Sequence, residues 1–188
     1  MKRCDWSSKN ELMIRYHDEE WGVPVHDDTK LFEFLILDAF QAGLSWQTII
    51  NKRESFREAF DQFDVLKIAD YDQKKVDELM LNAGIIRNKL KIAASISNAK
   101  AFLKIQSEYG RFDRFIWQFT NGQTIVNQWK QQTDVPATSI ESDTMSKALM
   151  QAGFKFVGST ICYAFMQAAG MVNDHLTDCF RYHRCQER

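Results

Sequence analysis

Apolar residues recur at helical spacing along most of the chain, and strand-like alternation is scarce. Leu31, Leu35, Asp38 and Ala42 fall three to four residues apart. They predict a helix over 29–42, with Asp28 as its N-cap and Gly43 as its stop. A second helix starts near Ser45 and carries Trp46, Ile49, Phe56 and Phe60 on toward Phe63. Asp72 caps the stretch QKKVDELMLNA, where Val76, Leu79 and Met80 share a face. A tight turn over 82–86 follows, with Gly84 taking a positive φ. The amides of Ile85, Ile86 and Arg87 then open a long helix that runs to Gly110. Further helices are expected over about 113–119, 142–152 and 156–169, with a polar surface loop over 121–139. The pattern predicts an all-α chain forming one domain over 1–188.

Asp38 is the only polar residue from Phe34 to Phe40. A carboxylate buried there without a partner is costly or has its pKa driven up, so it is paired, neutral or functional. Trp6, Tyr16, Trp21 and Trp46 lie in the first quarter of the chain, before or just after this helix. Core packing accounts for any one of them. Taken with the carboxylate they predict a pocket for a flat ligand bearing positive charge, because aromatic faces attract cations and a carboxylate accepts N–H donors.

Composition narrows the class. The 188 residues are 45% hydrophobic and 26% charged, which suits a globular protein with a sizeable core and excludes a disordered or fibrous chain. No apolar run is long enough to cross a bilayer, and the opening MKRCDWSSKNE lacks the apolar stretch of a secretion signal, so a cytoplasmic address is expected. The net charge of −1 gives no overall field that attracts nucleic acid, but the charges are unevenly placed. From Leu79 to Ser107 there is no acid, while Arg87, Lys89, Lys91, Lys100 and Lys104 fall there. A solvated helix face explains such a run. Directly after a glycine-centred hairpin, it also forms a candidate phosphate-binding element, holding a nucleic-acid backbone without reading its sequence.

Cysteines stand at 4, 162, 179 and 185 and histidines at 17, 26, 175 and 183, and all but Cys162 lie toward the two ends. Disulfides are not expected in an intracellular chain, so this grouping favours a metal. Two Cys and two His make a closed tetrahedral zinc site with a structural role. Spacing leaves the ligand set open. Cys4, His17, His175 and Cys179 would tie end to end, His175, Cys179, His183 and Cys185 would form a local knuckle, and His26 is also available. Cys162, within TICYAFMQAAG, reads as a small buried hydrophobe.

Five ordered blocks carry a resemblance over essentially the whole chain: RCDW at 3–6, YHDEEWGVP at 16–24, QAGLSW at 41–46, AGIIRNKLKI at 83–92 and KFVGSTICYAFMQAAGMVNDH at 155–175. The chain resembles the type I 3-methyladenine DNA glycosylases, a branch of the helix–hairpin–helix base-excision enzymes. The resemblance implies an all-α fold of two helical lobes, with the helix–hairpin–helix element about 72–107. It implies a structural zinc ion held by Cys4, His17, His175 and Cys179, clamping the two ends together. It implies a base pocket of Trp6, Tyr16, Trp21 and Trp46, with Asp38 as the catalytic carboxylate. Double-stranded DNA containing alkylated bases would be met by Gly43, Leu44 and Ser45, which approach the gap left by an extruded base, and by Gly84, Ile86, Lys89 and Lys91.

The implied activity is hydrolysis of the N-glycosidic bond of 3-methyladenine, with 3-methylguanine as a second substrate, by a monomer that leaves an abasic site. No hairpin lysine stands as a nucleophile, so no lyase step is expected. Three positions depart from the family's pattern: Asp38 where Glu is usual, Met13 where Tyr lines the pocket, and Ala164 where a hydroxyl residue occurs. Losing one methylene shortens the carboxylate's reach by roughly an ångström. A gap of that size can turn a direct hydrogen bond into a water-bridged one. The alternative reading is a lesion-binding homologue whose chemistry is lost or retuned.

Overall fold

The computed structural model describes residues 1–185. A 3-10 turn at Asp5–Lys9 leads into α1 (Glu11–Glu19), capped by the Asn10 side chain, and then into α2 (Asp28–Gln41). The single helix expected from Ser45 to Phe63 is instead three pieces: α3 (Trp46–Ile50), α4 (Arg53–Ala59) and a 3-10 turn at Asp61–Phe63. Asp61, Gln62 and Phe63 all take positive φ (50°, 57° and 58°), a left-handed turn that hydrophobic periodicity does not signal. α5 (Val65–Ala69) and α6 (Gln73–Leu81) are capped by Asp64 and Asp72. α7 (Lys89–Tyr109) ends on Gly110 at φ 80°, and α8 (Phe112–Trp117) follows.

The polar stretch after α8 holds β1 (Ile125–Val126) and a 3-10 turn at Gln132–Asp134. α9 (Ile140–Gln151) opens on a reciprocal Ser139–Ser142 capping box, two residues ahead of its expected start. α10 (Ser159–Ala168) begins three residues late, because Phe156 sits at φ 56° and Gly158 is the N-cap. β2 (Val172–Asn173) pairs in parallel with β1, Ile125 opposite Val172, and α11 (Arg181–Arg184) closes the described chain. The all-α expectation holds apart from this two-residue ladder. No helix of the described residues is long and apolar enough to cross a membrane.

α2 is buried on every side from Leu31 to Phe40, rather than along the single stripe its spacing predicts. A helix apolar all round belongs at the centre of a fold, and α2 packs against α3, α7, α8 and α10. Phe40 meets Phe56 at 4.8 Å and fastens α2 to α4, while Phe102 meets Phe32 at 5.1 Å and Phe112 at 4.0 Å, joining α2, α7 and α8. The N-cap of α2 is Asp27, not Asp28. The Asp28 carboxylate turns away to accept the amides of Phe112 and Asp113, both at 2.9 Å, and so caps α8, whose own N-cap Arg111 offers no acceptor. The chain after α10 lies directly on the segment after α1. At Gly170 (φ 69°) a Cβ would come within 2.3 Å of the Val23 carbonyl carbon, so only glycine permits that approach.

Candidate active site and metal centre

A cavity of about 250 Å³ is lined by residues of α1, α2, α3 and α10. Trp6, Tyr16, Trp21, Asp38 and Trp46 all line it, as do Met13, Gln41, Ser45, Gln47, Gln132, Ala164 and Gln167. The Tyr16 and Trp46 rings lie 5.1 Å apart at 45°, and Trp6 meets Trp21 edge-on at 4.9 Å. Asp38 is 2% exposed. Its Oδ2 and the Trp46 indole Nε1 are buried with no partner among the described residues. Leaving such groups unpaired costs about 1–3 kcal/mol each. Burial pushes the Asp38 carboxyl well above the usual carboxylate range, against the pull of the Arg53 charge. Burial, and then the Asp38 charge, raise the Tyr16 phenol too.

Gln167 was not singled out by the sequence. Its Nε2 donates to Asp174 Oδ2 at 2.8 Å. A carboxylate only accepts, so the amide orientation is settled and Oε1 is the atom left over. Asp174 also accepts from the Tyr163 hydroxyl, Asn127 Nδ2 and the Trp129 indole, each at 2.7 Å, which holds the acceptor still. A second unforeseen group is the ion network beside Tyr16. Arg53 donates Nη1 and Nη2 to Glu20 at 2.9 and 2.8 Å, and Nε to Glu33 at 2.6 Å, with Lys30 and Arg57 beside them. Burial pushes Glu20 up, but hydrogen bonding and charge from Arg53 outweigh it and hold the carboxyl at about 2. Neither group follows a spacing rule; only the folded chain brings them together.

The loop after α2 exposes Gly43 (φ 80°), Leu44 and Ser45, and the Ser45 side chain caps α3 by accepting from the Thr48 amide. The hairpin differs from expectation in three respects. Gly84 does not have a positive φ; it is needed because a Cβ there would sit 2.9 Å from Ser55 Cβ. α7 starts after Asn88, whose Oδ1 takes the Leu90 and Lys91 amides, so the amides at 85–87 do not open it. Lys91 does not face phosphate: its ammonium is turned inward, donating to the carbonyls of Phe40 at 2.8 Å and Ala42 at 2.6 Å. The C-terminal end of α2 supplies unpaired carbonyls and the negative end of a helix dipole, which partly offset the burial that lowers the Lys91 pKa. Arg87 and Lys89 are exposed, and Ile86 is half-buried.

Cys4, His17, His175 and Cys179 are buried together, with their ligand atoms all within 4.8 Å of one another. His26, His183 and Cys185 are outside this group. Cys179 Sγ lies 3.4 Å from His17 Nε2 and 3.6 Å from His175 Nδ1, and Cys4 Sγ lies 3.8 Å from His175 Nδ1. A tetrahedral zinc site has S–N edges of roughly 3.6 Å. Each outer ring nitrogen has an acceptor: His17 Nδ1 faces Asp18 Oδ1 at 2.8 Å, and His175 Nε2 faces the Trp21 carbonyl at 3.0 Å. These partners place the outer protons and turn both inner lone pairs toward the centre. The approach of the two thiols, with burial, pushes Cys4 up, and the same approach, with His17 and His175 beside it, pulls Cys179 down. The donor set fits zinc. Cys162 stands apart, buried, with its thiol directed at the Val157 carbonyl.

The family described as methyladenine glycosylase matches residues 6–182. The chain is 49% identical over 182 residues to DNA-3-methyladenine glycosylase 1 of Escherichia coli, covering 97% of each. A solved structure of 3-methyladenine DNA glycosylase I is similar at a TM-score of 0.93 and 50% identity, over 95% of this chain and 98% of that one. A variant of 3-methyladenine DNA glycosylase I, solved in complex with 3-methyladenine, is similar at a TM-score of 0.92 and 36% identity, over 96% and 97%. Matched along nearly its full length, the chain belongs to the methyladenine glycosylase family.

Proposed function

We propose that this protein is a base-excision DNA glycosylase that hydrolyses the N-glycosidic bond of 3-methyladenine, and of 3-methylguanine as a second substrate, in alkylated duplex DNA. The observation that carries this reading is the pair of buried, unpartnered polar atoms, Asp38 Oδ2 and Trp46 Nε1, on one aromatic cavity of about 250 Å³. An acceptor and a donor among flat rings suit a single extruded base. The same reading takes the whole chain as one domain, a monomer at work in the cytoplasm.

N3 methylation makes the leaving base cationic, so its bond to the sugar is weakened before the enzyme acts and little general-acid help is needed. The aromatic walls hold the flipped base, and Trp46 Nε1 donates to it. Burial raises the Asp38 carboxyl, and a positive base beside it favours the ionised form, the proton passing to water; the carboxylate then accepts the base's N–H and steadies charge growing on the sugar. The sugar–base bond breaks with its electrons leaving on the now neutral base, water adds at the sugar carbon and loses a proton to solvent, and an abasic site remains. Without a lysine nucleophile the chemistry stops there. Leu44, exposed at the loop tip, fills the gap, while Arg87 and Lys89 meet phosphates. Cys4, His17, His175 and Cys179 would hold zinc with four protein ligands, in a structural role that ties the two ends together.

Chromatography of bases released from methylated duplex DNA tests this directly, with 3-methyladenine as the expected product. Asp38, Met13 and Ala164, the three departures from the family pattern, all line the cavity. They favour a second reading, a pocket retuned to another lesion, and release of a different methylated base would establish it. Binding to abasic duplex with no release would leave a lesion binder.

A further inference from the structure

Two lysines cross-connect the elements that the proposed function places on DNA. Lys91, in the first turn of α7, donates to Phe40 and Ala42 at the end of α2, where the 43–45 loop begins. Lys52, between α3 and α4, donates in the opposite direction, to the hairpin carbonyls of Ala83 at 3.0 Å and Gly84 at 3.4 Å. The hairpin is pressed onto α4 at the same place, since Gly84 leaves no room for a Cβ against Ser55. Each unit thus lends one ammonium to the other's unpaired carbonyls.

We propose that Lys91 and Lys52 form a reciprocal latch that fixes the 43–45 loop against the 82–86 hairpin before DNA arrives. Both are positioning residues. The inference rests on the proposed function, because the loop and the hairpin matter together only if one duplex touches both. A loop that enters the base stack must stand at a set distance from the element gripping the backbone, and an error of an ångström costs up to about a hundredfold in rate. The latch supplies that distance without spending either charge on phosphate.

The test uses Lys91→Met, Lys52→Met and Lys91→Arg in the full-length protein. Single-turnover base release from methylated duplex is measured alongside binding of free 3-methyladenine and of an abasic-site duplex across a salt series. Release by the two Met variants is expected to fall about tenfold or more. Free-base binding and the salt slope should stay at wild-type values, and Lys91→Arg should recover most of the rate. A slope lower by about one would make the lysine a phosphate contact and overturn the latch. So would wild-type release by both Met variants. Lys52 is half-exposed, so Lys52→Met carries the same prediction should Lys91→Met not fold. Wild-type protein that neither releases base nor binds abasic duplex overturns the proposed function and the latch with it. An active wild type with unaffected variants removes the latch alone.

Discussion

Asp38 is unfavourable for the fold and, in the proposed reaction, required for function. Its carboxyl is buried, unpartnered at Oδ2 and raised well above its ordinary pKa. A raised carboxyl binds its proton more tightly in the folded chain than in the unfolded one. Its contribution to stability is therefore full below the unfolded value, about 4, and is lost as pH rises through the folded value. Asp38→Asn, which cannot ionise, should raise the melting temperature at neutral pH. The same variant should keep its affinity for abasic duplex while base release falls on the order of a hundredfold. Wild-type release should decline on acidification at a pH above about 4, and Asp38→Asn should lack that limb. A variant with full activity, or one with the same acid limb, would take Asp38 out of the reaction.

Among the elements, the Arg53 network joins Glu20, the C-cap of α1, to α2 and α4, so it ties together the helices that carry Tyr16, Asp38 and the approach to the hairpin. Arg53→Met would leave Glu33, whose side chain is 7% exposed, beside Glu20 with their main cation gone. Removing one member of a buried charge group typically costs about 3–5 kcal/mol, a loss that urea unfolding would register. Glu20, held at about 2, contributes stability that is present above its unfolded value and lost as pH falls through about 2. Wild-type stability should therefore decline as pH drops below about 4.5, and Arg53→Met should flatten that decline.

Local chemistry made several element boundaries legible in the sequence: Asp72 caps α6, Gly43 follows α2, and Gly110 stops α7. Where two neighbours could play one part, sequence could not choose. Asp27 and Asp28 are chemically alike, and only the approach of α8 shows that the second serves a different helix. A glycine in a hairpin predicts a positive φ, whereas the reason for Gly84 is Ser55, 29 positions away. The sequence presents Lys91 as a phosphate contact because its acceptors, Phe40 and Ala42, are distant along the chain. Trp6, Tyr16, Trp21 and Trp46 from the blocks, and Asp38 from the helix between them, all line the cavity, but the part played by Gln167 and its Asp174 anchor shows only in the fold.

At the scale of the whole molecule, the proposed zinc joins positions 171 apart. The loop-closure picture gives about 5 kcal/mol for a link across so long a loop, or about 10–20 °C in melting temperature for a domain of this size. Cys179→Ser should lose the metal and melt lower by that margin, with elemental analysis of the purified protein reading one zinc per wild-type chain. Zinc retained with unchanged melting would mean that His183 and Cys185 complete a different set. The cavity depends on the same closure. Trp21 packs its ring on His175 at 4.6 Å, and the Gly22 amide bonds to the Gln167 carbonyl at 3.0 Å.

That dependence has a consequence in time. A ribosome delivers Trp6, Tyr16 and Trp21 early, and their backing only when His175 emerges. Until then Trp21 lacks the His175 ring it packs on, and Cys4 and His17 hold half a donor set. On the proposed function, a chain stopped before His175 has no finished pocket to misuse on undamaged bases, and synthesis past His175 is what completes it.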